Sequence, residues 1–211
     1  MHALILVDIQ NDFLPTGALP VPEGDGVVPV ANALLPAFDL VVATQDWHPA
    51  AHGSFAANHP GRVPGEMIEL AGLPQMLWPV HCVQETPGAA FAPGLDTTRI
   101  THVVRKGTDA GIDSYSGFFD NGQRQATGLK ALLRAHGVTA VYLLGLATDY
   151  CVKFTALDAR RLGFGTYLIV DGCRGVDLHH GDVARALADL QAQGVTLLNS
   201  ADVLAGVSAG E

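Results

Sequence analysis

The stretch Ala140-Val141-Tyr142-Leu143-Leu144, followed at once by Gly145-Leu146-Ala147-Thr148-Asp149-Tyr150-Cys151-Val152, decides the fold. Its first five residues are a short β-rich apolar run. The helical pattern Leu129, Leu132, Leu133, His136 precedes it and closes at Gly137, and a second helical stretch follows it to Arg161. Working outward, comparable runs lie at Ala3 to Val7, Leu40 to Thr44, His102 to Arg105, Thr166 to Val170 and Val195 to Leu198, which predicts six buried strands. Further helical patterns carry Val27, Val30 and Leu34, and Val183, Leu187 and Leu190 before Gly194. Strands alternating with helices require crossover connections, so the expectation is a three-layer α/β/α sandwich around a six-stranded, mostly parallel sheet. One domain spanning residues 1–211 accommodates it.

Charge and composition narrow the function. The chain has 21 acidic and 12 basic side chains and a formal net charge of −9, with no dense Lys/Arg patch, so neither nucleic acid nor an anionic membrane is an expected partner. With 48% hydrophobic and 16% charged residues, the body is too apolar for disorder. The opening Met1-His2-Ala3-Leu4-Ile5-Leu6-Val7 is cut short by Asp8, too early for a signal peptide or a membrane helix. The expected location is the cytoplasm, and Cys82, Cys151 and Cys173 are read as thiols rather than a disulfide framework.

The alternation breaks between about residues 45 and 100, where Pro, Gly, His and Trp replace sustained periodicity; excursions of that length usually carry function. Open parallel sheets bind ligands at the carboxyl ends of their strands, and polar residues collect there: Asp8, Asp46, His48, Lys106 and Cys151. Cys151 falls near the start of a helix, where free amides and the dipole favour a thiolate and can hold an oxyanion; the competing reading is a small apolar residue packed under that helix. Asp8 ends a wholly apolar strand and is costly to bury unpaired, while Lys106 ends another central strand. They read either as proton acceptor and cation beside the thiol or as a structural ion pair. Asp46, His48, His52 and His81 offer one carboxylate and three imidazoles, a mixture suited to a first-row divalent metal.

Six segments together carry a family resemblance: Leu6-Val7-Asp8-Ile9-Gln10-Asn11-Asp12-Phe13, Gln45-Asp46-Trp47-His48-Pro49, Leu77-Trp78-Pro79-Val80-His81-Cys82-Val83-Gln84, Lys106-Gly107, Asp113 to Asn121, and Gly145 to Val152. In this order the chain resembles the nicotinamidase/pyrazinamidase family of isochorismatase-like cysteine hydrolases. The resemblance implies that fold, and an amidase that turns nicotinamide into nicotinate and ammonia, accepts pyrazinamide and serves NAD salvage. It implies Cys151 as nucleophile, Asp8 as base and later acid, and Lys106 as third member of the triad. It implies Asp46, His48 and His81 as ligands of one divalent metal, zinc first, with iron or manganese as alternatives, and gives His52 a supporting place as fourth ligand or neighbour. It further implies a cis peptide at Leu146-Ala147, an oxyanion hole from the amides of Ala147 and Cys151, and ring contacts from Phe13, Trp78 and Tyr115, for which core packing is the alternative. The rivals are an amidase for ureido or carbamoyl substrates, which generally lacks the metal site, and a non-catalytic binding protein of the same fold. The oligomeric state is left open, a homo-oligomer included.

Overall fold

The computed structural model describes residues 1–208. Six strands form the central sheet: β1 (His2–Val7), β2 (Leu40–Asp46), β5 (His102–Lys106), β6 (Ala140–Leu146), β7 (Gly165–Arg174) and β8 (Thr196–Leu198). Their order is β5-β2-β1-β6-β7-β8. Every pairing in this sheet is parallel, so the expected "mostly parallel" sheet is parallel throughout. β1 lies at the centre and is buried on both faces from Ala3 to Val7, which is why its sequence is a continuous apolar run rather than an alternation.

Helices α1 (Val27–Leu34), α2 (Leu129–Ala135), α3 (Lys153–Arg161), α4 (Asp182–Ala192) and α5 (Ser200–Ser208) supply the outer layers. α1 packs with α5, and α3 with α4, while α1, α3 and α5 all touch β7. Gly137, Gly163 and Gly194 follow α2, α3 and α4 with φ of 66°, 83° and 81°, the left-handed conformation that ends a helix at little cost to glycine. α5 lacks a strong apolar stripe and has no counterpart in the sequence expectations. The excursion between β2 and β5 holds an antiparallel hairpin, β3 (Met67–Leu70) with β4 (Leu73–Met76), that periodicity did not indicate.

The strand order places a topological switch between β1 and its neighbours. β1 is followed by β2 on one side and paired with β6 on the other, and the chain leaves all three at the same edge. Asp8 comes off β1, Asp46 ends β2, Lys106 ends β5, and Cys151 follows β6 by one turn. No described helix is long and apolar enough to cross a membrane.

Candidate active site

Asp46 and Lys106 are register partners at the ends of β2 and β5, so adjacent strands deliver a carboxylate and an ammonium to one point. The Lys106 ammonium is buried and has four neighbours. It lies 2.9 Å from Asp8 Oδ2, 2.5 Å from Asp46 Oδ1, 2.9 Å from the Ser114 carbonyl oxygen and 3.3 Å from Cys151 Sγ. Burial alone would favour a neutral amine, but Asp46 and Asp8 hold its pKa well above the ordinary lysine value.

Asp8 takes a left-handed φ of 48°, unusual outside glycine and concentrated at functional sites. Its Oδ1 accepts a 2.6 Å hydrogen bond from Thr44 Oγ1. Oδ2 is near Lys106 but lacks a well-directed hydrogen bond, so it is an ion-pair partner with a lone pair to spare. Burial raises the Asp8 pKa against the pull of Lys106, with the Asp46 charge adding to the rise. Asp46 behaves oppositely: burial pushes it up, but Lys106 and then His48 hold it far below the carboxylate range. One acid of the pair is therefore a strong base for its kind, and the other a fixed anion.

Cys151 sits inside a π-helical turn, Thr148–Val152, that leads into α3. A helix start was expected to lower the thiol pKa. Instead burial dominates, and despite Lys106 the anions of Asp8 and Asp46 add to it, so the thiol is pushed well above its ordinary value. The resting group is a thiol, whose proton has to be removed in the reaction itself. Cys151 Sγ and oxygens of Asp8 and Asp46 lie within 4.8 Å of one another, with the Lys106 ammonium serving all three as their cation. The Leu146–Ala147 peptide, just ahead of the turn, is cis as expected.

Asp46, His48 and His81 bring ligand atoms within 4.8 Å of one another. His48 Nε2 is 3.5 Å and His81 Nε2 3.8 Å from Asp46 Oδ2. The other ring nitrogens are engaged behind: His48 Nδ1 lies 2.9 Å from the Gly107 carbonyl and His81 Nδ1 2.8 Å from that of Pro79. Donation to those carbonyls puts the proton of a neutral ring on Nδ1 and leaves Nε2, on the Asp46 side, as the atom that would ligate a metal; against its burial, Asp46 raises the His48 pKa, so a metal there would take the place of a proton. Burial, with the neighbouring His48, lowers the pKa of His81 to about 4, so its imidazole is neutral at pH 7. Lys106, Asp8 and Asp46 carry one net negative charge among them, which a divalent cation would offset. These residues fit such an ion.

His52 stands aside from that triple. It groups instead with His48 and Asp113, its Nδ1 is 2.7 Å from Ser54 Oγ, and its buried Nε2 has no partner. Cys151, Asp46, His48 and His81 line a single pocket of about 400 Å³, part of it open to solvent. Phe13, Trp78, Tyr115 and Ala147 line it too. Sequence reasoning missed Tyr150, whose ring meets Trp78 edge-on at 4.9 Å, and the carboxylate of Asp113; both lay in segments quoted above but carried no separate signal. It also missed Thr44 and Gln75, whose places depend on which strands become neighbours. Cys82 and Cys173 are free and buried, and neither lines this pocket.

A family model described as "Isochorismatase domain" matches residues 2–202. The chain belongs to the isochorismatase domain family. Within it, the chain is 52% identical to the nicotinamidase of Escherichia coli strain K12 over 205 residues, 95% of this chain and 96% of that one. Among solved structures, an Acinetobacter baumanii nicotinamidase/pyrazinamidase superposes with a TM-score of 0.93 at 47% identity, covering 96% of this chain and 97% of the other. A pyrazinamidase of Pyrococcus horikoshii in complex with zinc gives a TM-score of 0.77 at 40% identity, over 94% and 98% of the two chains.

Proposed function

We propose that this isochorismatase-family chain is a nicotinamidase, a cysteine amide hydrolase that converts nicotinamide to nicotinate and ammonia and also accepts pyrazinamide. The observation that carries the reading is the shared pocket: the Cys151 thiol and the donors of Asp46, His48 and His81 face one aromatic-walled space. The likeness to nicotinamidases over nearly the whole chain supports it. Residues 1–211 act as one catalytic unit, with the excursion at about 45–100 carrying His48, His81 and Trp78. The chain works in the cytoplasm, supplying nicotinate for NAD salvage, with no nucleic-acid or membrane partner.

Asp8 takes the proton of Cys151, and the thiolate attacks the carboxamide carbon. The oxyanion turns toward the amides of Ala147 and Cys151, where a buried site makes each donor worth more than in water. Lys106 keeps Asp8 oriented and balances the negative charge that builds beside it. Asp8 then gives the proton to the departing nitrogen, ammonia leaves, and an acyl thioester remains on Cys151. Asp8 next deprotonates water, which adds to the thioester carbon; nicotinate leaves and the proton returns to the thiol. Phe13, Trp78 and Tyr115 flank the ring.

Asp46, His48 and His81, with His52 close by, would hold one divalent metal, zinc first and iron or manganese next, whose open coordination positions would anchor the ring nitrogen and orient the amide.

Ammonia release by the purified protein, with nicotinamide, pyrazinamide, benzamide and an ureido acid before and after chelation, tests the reading. Nicotinamide and pyrazinamide should turn over. Benzamide, of the same shape without the nitrogen, should be poorer by about a thousandfold or more in kcat/KM, since a site built on a polar contact rejects an analogue that lacks it. Chelation should depress nicotinamide turnover far more than residual benzamide turnover. Preference for the ureido acid, or equal rates on benzamide and nicotinamide, would refute it.

A further inference from the structure

The β3–β4 hairpin buries the wrong residue for a hydrophobic hairpin. Ile68, Leu70 and Leu73 remain partly exposed, whereas Gln75 is 3% exposed. A hairpin folding for its apolar surface would turn the leucines and isoleucine inward, because a buried amide is tolerated only when its hydrogen bonds are made. Gln75 makes them. Its Nε2 lies 2.8 Å from the Met76 carbonyl, 3.0 Å from Asp113 Oδ2 and 3.2 Å from Tyr115 Oη.

Two of those acceptors belong to residues that line the catalytic pocket, although Gln75 does not line it. Tyr115 Oη also accepts from Trp78 Nε1 at 3.1 Å, so one phenol oxygen joins the hairpin to the aromatic wall. The rings continue the connection: Tyr150 packs edge-on against Trp78 at 4.9 Å and against Tyr115 at 5.6 Å. Asp113 is fixed from the other side, its Oδ1 accepting from the Ser114 amide at 2.7 Å. The Gln75 amide therefore bridges the two sides of the pocket, the ring wall and the carboxylate that faces His48 and His52.

We infer that Gln75 is a positioning residue for the substrate ring: acting through Tyr115 and Asp113, it sets the width of the slot between the aromatic wall and the Asp46/His48/His81 cluster. The inference rests on the nicotinamidase reading. It predicts an effect on ring binding rather than on bond breaking, because Gln75 touches none of Asp8, Lys106 or Cys151.

Gln75→Met keeps the volume and removes both N–H donors. In the active enzyme it should raise KM for nicotinamide about tenfold and leave kcat within about threefold, the split expected when binding is lost without loss of transition-state contacts. Calorimetric titration of nicotinamide into the Cys151→Ala protein supplies a readout without turnover. Gln75→Met should weaken Kd about tenfold there, Tyr115→Phe should weaken it comparably, and the two together should be no worse than the worse single change, because both break one connection. Should Gln75→Met fail to fold, Gln75→Leu, which also removes both donors and adds no charge beside Asp113, carries the same expectation. Unchanged Kd, singly multiplying effects in the double variant, or a fall in kcat at constant KM would overturn the inference. If the Cys151→Ala parent itself does not bind nicotinamide, the nicotinamidase reading fails and takes this inference with it; normal parental binding with an indifferent Gln75 variant refutes the inference alone.

Discussion

Replacing Lys106 with Met would leave Asp8, Asp46 and the Cys151 thiol, all buried, without their common cation. Removing one partner of a buried ion pair typically costs about 3–5 kcal/mol, and urea denaturation of Lys106→Met should show a loss of that size. The deficit should shrink as pH falls. With the ammonium gone the buried carboxylates titrate above their unfolded value, so the folded state takes up protons first and regains stability on acidification. Asp8→Asn asks a different question. The amide can still accept from Thr44 but cannot take the thiol proton, so the protein should fold while kcat drops by about 10²–10⁴. In the native enzyme, burial raises the Asp8 pKa, so the acid limb of kcat/KM should lie above the usual carboxylate range, activity falling as pH drops through it. The pH–rate profile of Asp8→Asn should lack that limb. Asp8 is legible in sequence because an ionised residue ending an apolar strand demands a reason; Lys106, read there as ending a central strand, ends the edge strand β5 and is buried by its partners Asp46 and Asp8. Thr44 and Gln75 are not legible: each is an ordinary polar residue until folding brings it to a partner 36 or 40 positions away. The Cys151 thiol misled in one respect, since its burial outweighs the helix-start effect that position alone suggests.

At the level of elements, Gly145 is the tightest point. It has a φ of 129° at a register shift in β6, and a Cβ there would come within 2.1 Å of the Val7 carbonyl oxygen. Gly145→Ala would push β6 away from β1 and so separate Cys151 from Asp8. A loss of about 2–4 kcal/mol in stability, measured by denaturant unfolding, should accompany a fall in kcat larger than that in Gln75→Met. The six strands were readable because parallel strands buried on both faces leave unbroken apolar runs, and β1, β2 and β6 are such runs. The β3–β4 hairpin was not readable. Its strands have four residues each, carry Pro74, and are half exposed, so neither alternation nor a continuous run marks them. Strand ends also moved: β7 reaches Arg174, four residues past the expected Val170, because its continuation pairs with β6 beyond the irregularity at Gly145.

For the whole molecule, segments scattered from residue 8 to residue 151 converge because parallel strands release the chain at a common edge. The fold thus separates tasks: the sheet fixes Asp8, Asp46 and Lys106, the turn before α3 presents Cys151 and Tyr150, and the long excursion brings His48, His81 and Trp78 over them. In the proposed reaction the Cys151 sulfur carries the acyl group between amide cleavage and hydrolysis. Peptide mass analysis of the enzyme acid-quenched during turnover of nicotinamide would trap that acyl group. A nicotinoyl adduct should appear on the peptide containing Cys151 as ammonia forms, and be absent from a folded but inactive Cys151→Ala protein. An adduct on Cys82 or Cys173, or undiminished ammonia release by Cys151→Ala, would contradict it.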